Sequence, residues 1–91
     1  MKTIYKYPIE ITDKQNVELP EGAHVLSVAL QHRKLCLWAM IDTDIKNEVG
    51  TTFREVRIFG TGHPVELDGN WQFVGTILEE TFVWHVFIEA Q

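Results

Sequence analysis

Residues 24–41 and 71–88 each read as a β-hairpin whose two arms agree, position by position, on which side chains are buried. With the first turn at His32–Arg33, Leu30 faces Leu35, Val28 faces Leu37, Leu26 faces Ala39 and His24 faces Ile41. That gives one nearly unbroken aliphatic face. Strand side chains alternate strictly, so a slip of one residue would turn the whole apolar set toward water. The opposite face sets Val25 against Met40, Ser27 against Trp38 and Ala29 against Cys36, which is apolar enough to predict central strands covered on both sides. The second hairpin, with its turn at Glu79–Glu80, sets Trp71 against Ile88, Phe73 against Val86, Gly75 against Trp84 and Ile77 against Phe82. An indole lying across a glycine of the next strand covers otherwise bare backbone. Its other face pairs Val74 with His85 and Thr76 with Val83.

Further strands fit between and before these hairpins. Residues 3–9 are aromatic and β-branched, and Pro8 lacks the amide hydrogen a ladder needs, which predicts an edge strand. Thr12 to Gln15 has the spacing of a capping box and predicts one helical turn. Asn16–Leu19 is extended and closes at Pro20-Glu21-Gly22, a turn with proline at its second position. Residues 42–51 form the longest polar loop. In 52–59, Phe53, Glu55, Arg57 and Phe59 point one way and Thr52, Arg54, Val56 and Ile58 the other, a mixed pattern that predicts a strand near the sheet margin. No stretch sustains a helical period. The 91 residues make one domain, an all-β antiparallel sandwich or half-open barrel of six to seven strands with at most one short helical turn.

Charge and inventory narrow the chemistry. A net charge of −5, from 13 acidic and 8 basic residues, opposes binding to nucleic acid or anionic lipid. No apolar run approaches membrane-spanning length, and the N-terminal residues lack the apolar core of a secretion signal, so a cytoplasmic location is expected. Ser27 and Cys36 are the sole serine and cysteine, both inside strand patterns. Neither has the base and access that a nucleophile requires, and Cys36 reads as a small buried hydrophobe. His24, His32, His63 and His85 are dispersed, without the spacing of a metal site. Asp42-Thr43-Asp44 begins like a calcium loop but continues with Ile45-Lys46 where oxygen ligands belong. His85, among Val74, Val83 and Phe87, reads as a hydrogen-bonded structural group. No catalytic residue, metal or cofactor is expected.

Two groups of residues stand out as binding candidates. In Gly60-Thr61-Gly62-His63-Pro64, the glycines permit positive φ, successive amides can form an anion-binding nest, and Pro64 holds His63 extended. With Arg54 or Arg57, that loop suits a nucleotide or another phosphorylated small molecule; the plainer alternative is a rigid turn. Tyr5, Tyr7 and Trp38 are candidates for protein contact.

The strings Ile-Tyr-Lys-Tyr-Pro-Ile-Glu-Ile-Thr-Asp, Leu-Pro-Glu-Gly-Ala, Leu-Cys-Leu-Trp-Ala, Gly-Thr-Gly-His-Pro and Phe-Val-Trp-His-Val-Phe together resemble a family of short phage- and prophage-encoded proteins of unknown function. The resemblance spans nearly the whole chain. It implies expression inside a bacterial cell and carries over no catalytic residues. Small size, that setting and the missing catalytic set lead to the expectation of a phage accessory protein that acts by binding a host protein, for example as an inhibitor of a defence component. Sequestration of a nucleotide-like molecule is the second expectation. Strands 3–9 and 52–59 are the edges expected to support a homodimer.

Overall fold

The computed structural model describes residues 1–91 as seven strands and one helical turn. The strands are β1 (Lys2–Pro8), β2 (Lys14–Pro20), β3 (His24–Gln31), β4 (Lys34–Asp42), β5 (Thr51–Gly60), β6 (Trp71–Glu79) and β7 (Phe82–Glu89), with α1 (Lys46–Val49) between β4 and β5. They form two antiparallel sheets, β1-β4-β3 and β2-β5-β7-β6, packed as a sandwich. The core between them is aliphatic, with Leu19, Leu37, Ala39, Val56, Val86 and Ile88 fully buried. The helical turn lies at Lys46–Val49 and not at Thr12–Gln15, where the chain bends and enters β2. Gln15 there clamps the backbone of Glu10, accepting from its amide at 3.0 Å and donating to its carbonyl at 2.7 Å.

The first hairpin pairs as expected from its turn to Ser27, including Val28 with Leu37. His32 and Arg33 both take positive φ, 50° and 66°, giving a two-residue loop whose twist matches the strands. Beyond Ser27 a bulge at Leu26 moves the register by one, so Val25 opposes Ala39 and His24 opposes Met40. The bulge therefore buries Val25 and exposes Leu26, reversing the expected faces at that end.

The second hairpin turns at Glu80–Thr81, one residue later than expected, which pairs Ile77 with Trp84, Gly75 with Val86 and Thr76 with His85. A bulge at Val74 then sets Phe73 opposite Phe87 and Trp71 opposite Glu89. The indole of Trp84 does lie across a glycine, but that glycine is Gly60 in β5. Gly75 serves a different need. A β-carbon there would sit 3.1 Å from Cγ1 of Val28, so its absence lets β6 close against β3. Gln72, turned inward beside the second bulge, donates to the Val25 carbonyl at 2.9 Å, next to the first.

Strand order follows from backbone direction. In an antiparallel ladder, alternate residues aim both N–H and C=O at the same neighbour. The Ile9 amide bonds the Leu35 carbonyl and the Thr43 amide bonds the Met1 carbonyl, so odd residues of β1 face β4 and even ones face outward. Pro8 thus places its missing amide on an open edge, as expected for β1. The same logic holds in β2, where Asp13 and Glu21 bond Ile58 and Gly50, leaving Lys14, Asn16, Glu18 and Pro20 directed outward. Pro20 is the first residue of its turn, since the Ala23 amide bonds its carbonyl. β5 lies inside its sheet, not at the margin, because its aromatic and charged face is open to solvent while both of its edges are paired. In the first hairpin, β4 is central but β3 is the outer strand of its sheet, lying against β6.

Two outcomes follow. Arg33→Gly, by removing a side chain from left-handed backbone, stabilises the fold by about 0.5–1 kcal/mol and raises Tm by a few degrees in a thermal melt. Gly75→Val drives two branched side chains into one space and lowers stability by roughly 1–3 kcal/mol in urea denaturation, with Val28→Ala partly restoring it.

Candidate functional site

The bulge at Val74 turns Trp71 and Phe73 away from the core and adds them to the aromatic outer face of β2-β5-β7-β6. The register aligns Phe53, Glu55, Arg57 and Phe59 of β5 with His85, Phe87 and Glu89 of β7 and with Trp71, Phe73, Thr76 and Leu78 of β6. Phe59 meets Phe87 edge-on with ring centroids 5.9 Å apart, and Phe73 meets Phe87 at 5.3 Å. Arg57 lies 5.2 Å from the Trp71 ring centre. These contacts do not remove the face from water: Phe53 remains 65 % exposed, Phe73 55 % and Leu78 70 %. Sequence reasoning missed this surface because strict alternation, continued through the bulge, assigns Trp71 and Phe73 to the core side.

The Gly60–Pro64 loop lies at one end of the same face. Its amides are committed internally, Thr61 to the Val83 carbonyl at 3.2 Å and His63 to the Gly60 carbonyl at 3.1 Å. Pro64 has no N–H, and Gly62 has the φ of +88° that the turn requires. That is a turn and not a nest. The His63 ring folds back over Gly60, where a β-carbon would come within 3.0 Å of it. Thr61 anchors the loop through its hydroxyl, 2.7 Å from Nε2 of His85, whose Nδ1 is 3.1 Å from the Thr76 hydroxyl. His85 is thus a bridge between loop and sheet.

The two arginines proposed beside this loop part company. Arg57 shares an open cleft with Lys14, Phe59, His63, Pro64, Asp13 and Glu66. It is already paired with the Glu55 carboxylate and donates to the Glu66 carbonyl at 3.1 Å. Arg54 points to the other side of the strand and is 5 % exposed. Its guanidinium donates to the Glu89 carbonyl through Nε (3.0 Å) and Nη2 (2.8 Å) and to the Ala23 carbonyl through Nη1 (3.1 Å). Burial pulls its pKa below the ordinary value, with Glu89 opposing that shift. Arg54 therefore ties Glu89 and the β2–β3 turn to β5, on the side of the strand away from Arg57.

Tyr5, Tyr7 and Trp38 do not form one surface either. Tyr5 and Tyr7 oppose Ala39 and Leu37 on the inner face, whereas Trp38 is on the outer face with Lys6 and Ser27. Tyr7 packs on the core, and burial raises its pKa, with Tyr5 adding to the effect. Lys46 sits 4.7 Å from the Tyr5 ring centre. Cys36 is 1 % exposed, beneath a Lys6–Gln31 hydrogen bond of 2.7 Å that crosses β4 at its level. No three His, Cys, Asp or Glu side chains gather as a metal would need, and no helix is long and apolar enough to cross a membrane.

Over residues 1–91 the sequence matches a family described as a domain of unknown function (DUF7352). The chain belongs to that family. No curated protein and no solved structure matches it. The aromatic face and the cleft beside it are therefore features of a DUF7352 domain read from its own geometry.

Arg54→Ala leaves the buried Ala23 carbonyl and the half-buried Glu89 carbonyl without this donor, so it costs roughly 2–4 kcal/mol in urea denaturation, and Arg54→Lys, lacking the planar fork, recovers only part of that loss.

Proposed function

We propose that this DUF7352 domain is a binding module that engages a protein partner through the outer face of β2-β5-β7-β6. The observation that carries this reading is the concentration of Phe53, Phe59, Phe73, Phe87, Trp71 and Leu78 on one solvent-facing sheet surface. Aromatic side chains left in water on one face supply large contact area on association, and Trp, Tyr and Arg dominate binding energy at interfaces. The charges on this face favour protein over nucleic acid. Glu18, Glu55 and Glu89 outnumber Lys14 and Arg57, and Arg57 is already neutralised by Glu55. A stacking platform for a polyanion needs the reverse balance. Together with the resemblance to phage-encoded proteins, this supports an accessory protein acting inside a bacterial cell, for which inhibition of a host defence component is the leading role.

A second reading has its own support. Lys14, Arg57 and His63 meet in the cleft beside Phe59, a set that suits a small anionic ligand with an aromatic ring. The neighbouring Asp13 and Glu66 and the committed loop amides make it the weaker of the two.

Affinity capture from host lysate separates them. The protein-binding reading expects one dominant partner that is lost with Phe73→Ser or Phe53→Ser, each about tenfold or more weaker, and retained with His63→Ala. A thermal shift with a nucleotide panel that is abolished by His63→Ala, with capture unaffected by Phe73→Ser, overturns it in favour of the cleft.

A further inference from the structure

The open edge of β2 carries a pattern that matches itself. Lys14, Asn16 and Glu18 aim their N–H and C=O groups away from β5, and all three are exposed on the outer face of the sheet. The strand on its other side is absent, since β2 ends the order β2-β5-β7-β6. Only residues with outward-facing amides can form the doubly bonded pairs of a new antiparallel ladder. A two-fold axis at Asn16 pairs Lys14 with Glu18 of the partner subunit, Asn16 with its counterpart, and Glu18 with Lys14 of the partner subunit. Each pair exchanges two backbone hydrogen bonds, and both charged pairs are attractive. Moving the axis to Val17 sets Lys14 against Pro20, which has no amide, and moving it to Gln15 leaves Glu18 without its lysine.

The other open edge lacks this property. In β1 the outward residues are Lys2, Ile4 and Lys6, so an axis at Ile4 opposes lysine to lysine. An axis at Tyr5 sets Lys2 against Pro8, again without an amide. Lysine and proline are how natural edges avoid unwanted pairing, and β1 is blunted in this way. β2 instead places opposite charges two pairing positions apart around an amide side chain.

We propose that a second copy of this chain binds at β2, antiparallel and centred on Asn16, so that two four-stranded sheets join into one continuous sheet. The proposal is independent of what occupies the aromatic face. It has a consequence for that face, because Phe53 opposes Glu18 in the β2–β5 ladder. The joined sheets then present both aromatic surfaces side by side, with Lys14 of the partner subunit two strands from Phe53, across Glu18. The edge expected at 52–59 is excluded from this role, since β5 is paired on both sides.

Sedimentation equilibrium of the full chain tests this, with near-ultraviolet circular dichroism of each variant to show that the tryptophan environment is retained. The wild type is expected to be a dimer at micromolar concentration. Glu18→Lys and Lys14→Glu each replace two attractive pairs with two repulsive ones and weaken dimerisation roughly tenfold or more. The exchange Lys14→Glu/Glu18→Lys rebuilds both pairs with reversed sign and restores it. A monomeric wild type, a dimer unaffected by the single reversals, a double exchange that fails to restore association, or a dimer broken by Phe73→Ser instead would overturn the proposal.

Discussion

The contact on which the molecule turns is the one between β3 and β6, where a missing β-carbon at Gly75 admits the Val28 side chain. Each of these strands carries a bulge beside that contact, at Leu26 and at Val74. The Gln72 side chain reaches across to the Val25 carbonyl, so a backbone group beside the first bulge finds its donor beside the second. A bulge leaves backbone groups without ladder partners and bends its strand, which is tolerable in a core only if something else meets those groups. Here the opposite sheet does so for Val25.

That junction also determines what the surface looks like. Upstream of Val74 the side chains of β6 are inverted relative to a regular strand, so Trp71 and Phe73 join Phe59 and Phe87 outside while Val74 and Ile77 stay with the core. The bulge therefore adds Trp71 and Phe73 to a face that Phe53, Phe59 and Phe87 already present through regular alternation. The loop after β5 is a rigid neighbour of this face. His63 over Gly60, Thr61 on His85 and His85 on Thr76 hold it down, while the Thr61 and His63 amides bond the Val83 and Gly60 carbonyls.

Arg54 and Arg57 show how far one-dimensional reading reaches. Alternation correctly sends them to opposite faces of β5, which is a local property of any strand. It does not say which face is closed. Arg54 enters the interior because the Glu89 and Ala23 carbonyls, 35 and 31 residues away, converge there and need donors. The expected helical turn at Thr12 fails for a related reason. Gln15 has a better partner in the Glu10 backbone once β2 is held against β5, and local capping propensity yields to pairing.

By itself the amino-acid order settled the all-β class, the seven extended segments, the two hairpins and the pairing of Val28 with Leu37, because period-two burial and turn chemistry are local properties. Tertiary structure alone decided where the alternation breaks, which strands end a sheet and which aromatics face water. Those outcomes depend on groups distant in the chain meeting each other's unsatisfied backbone and filling each other's space, and no window of sequence contains both halves of such a contact.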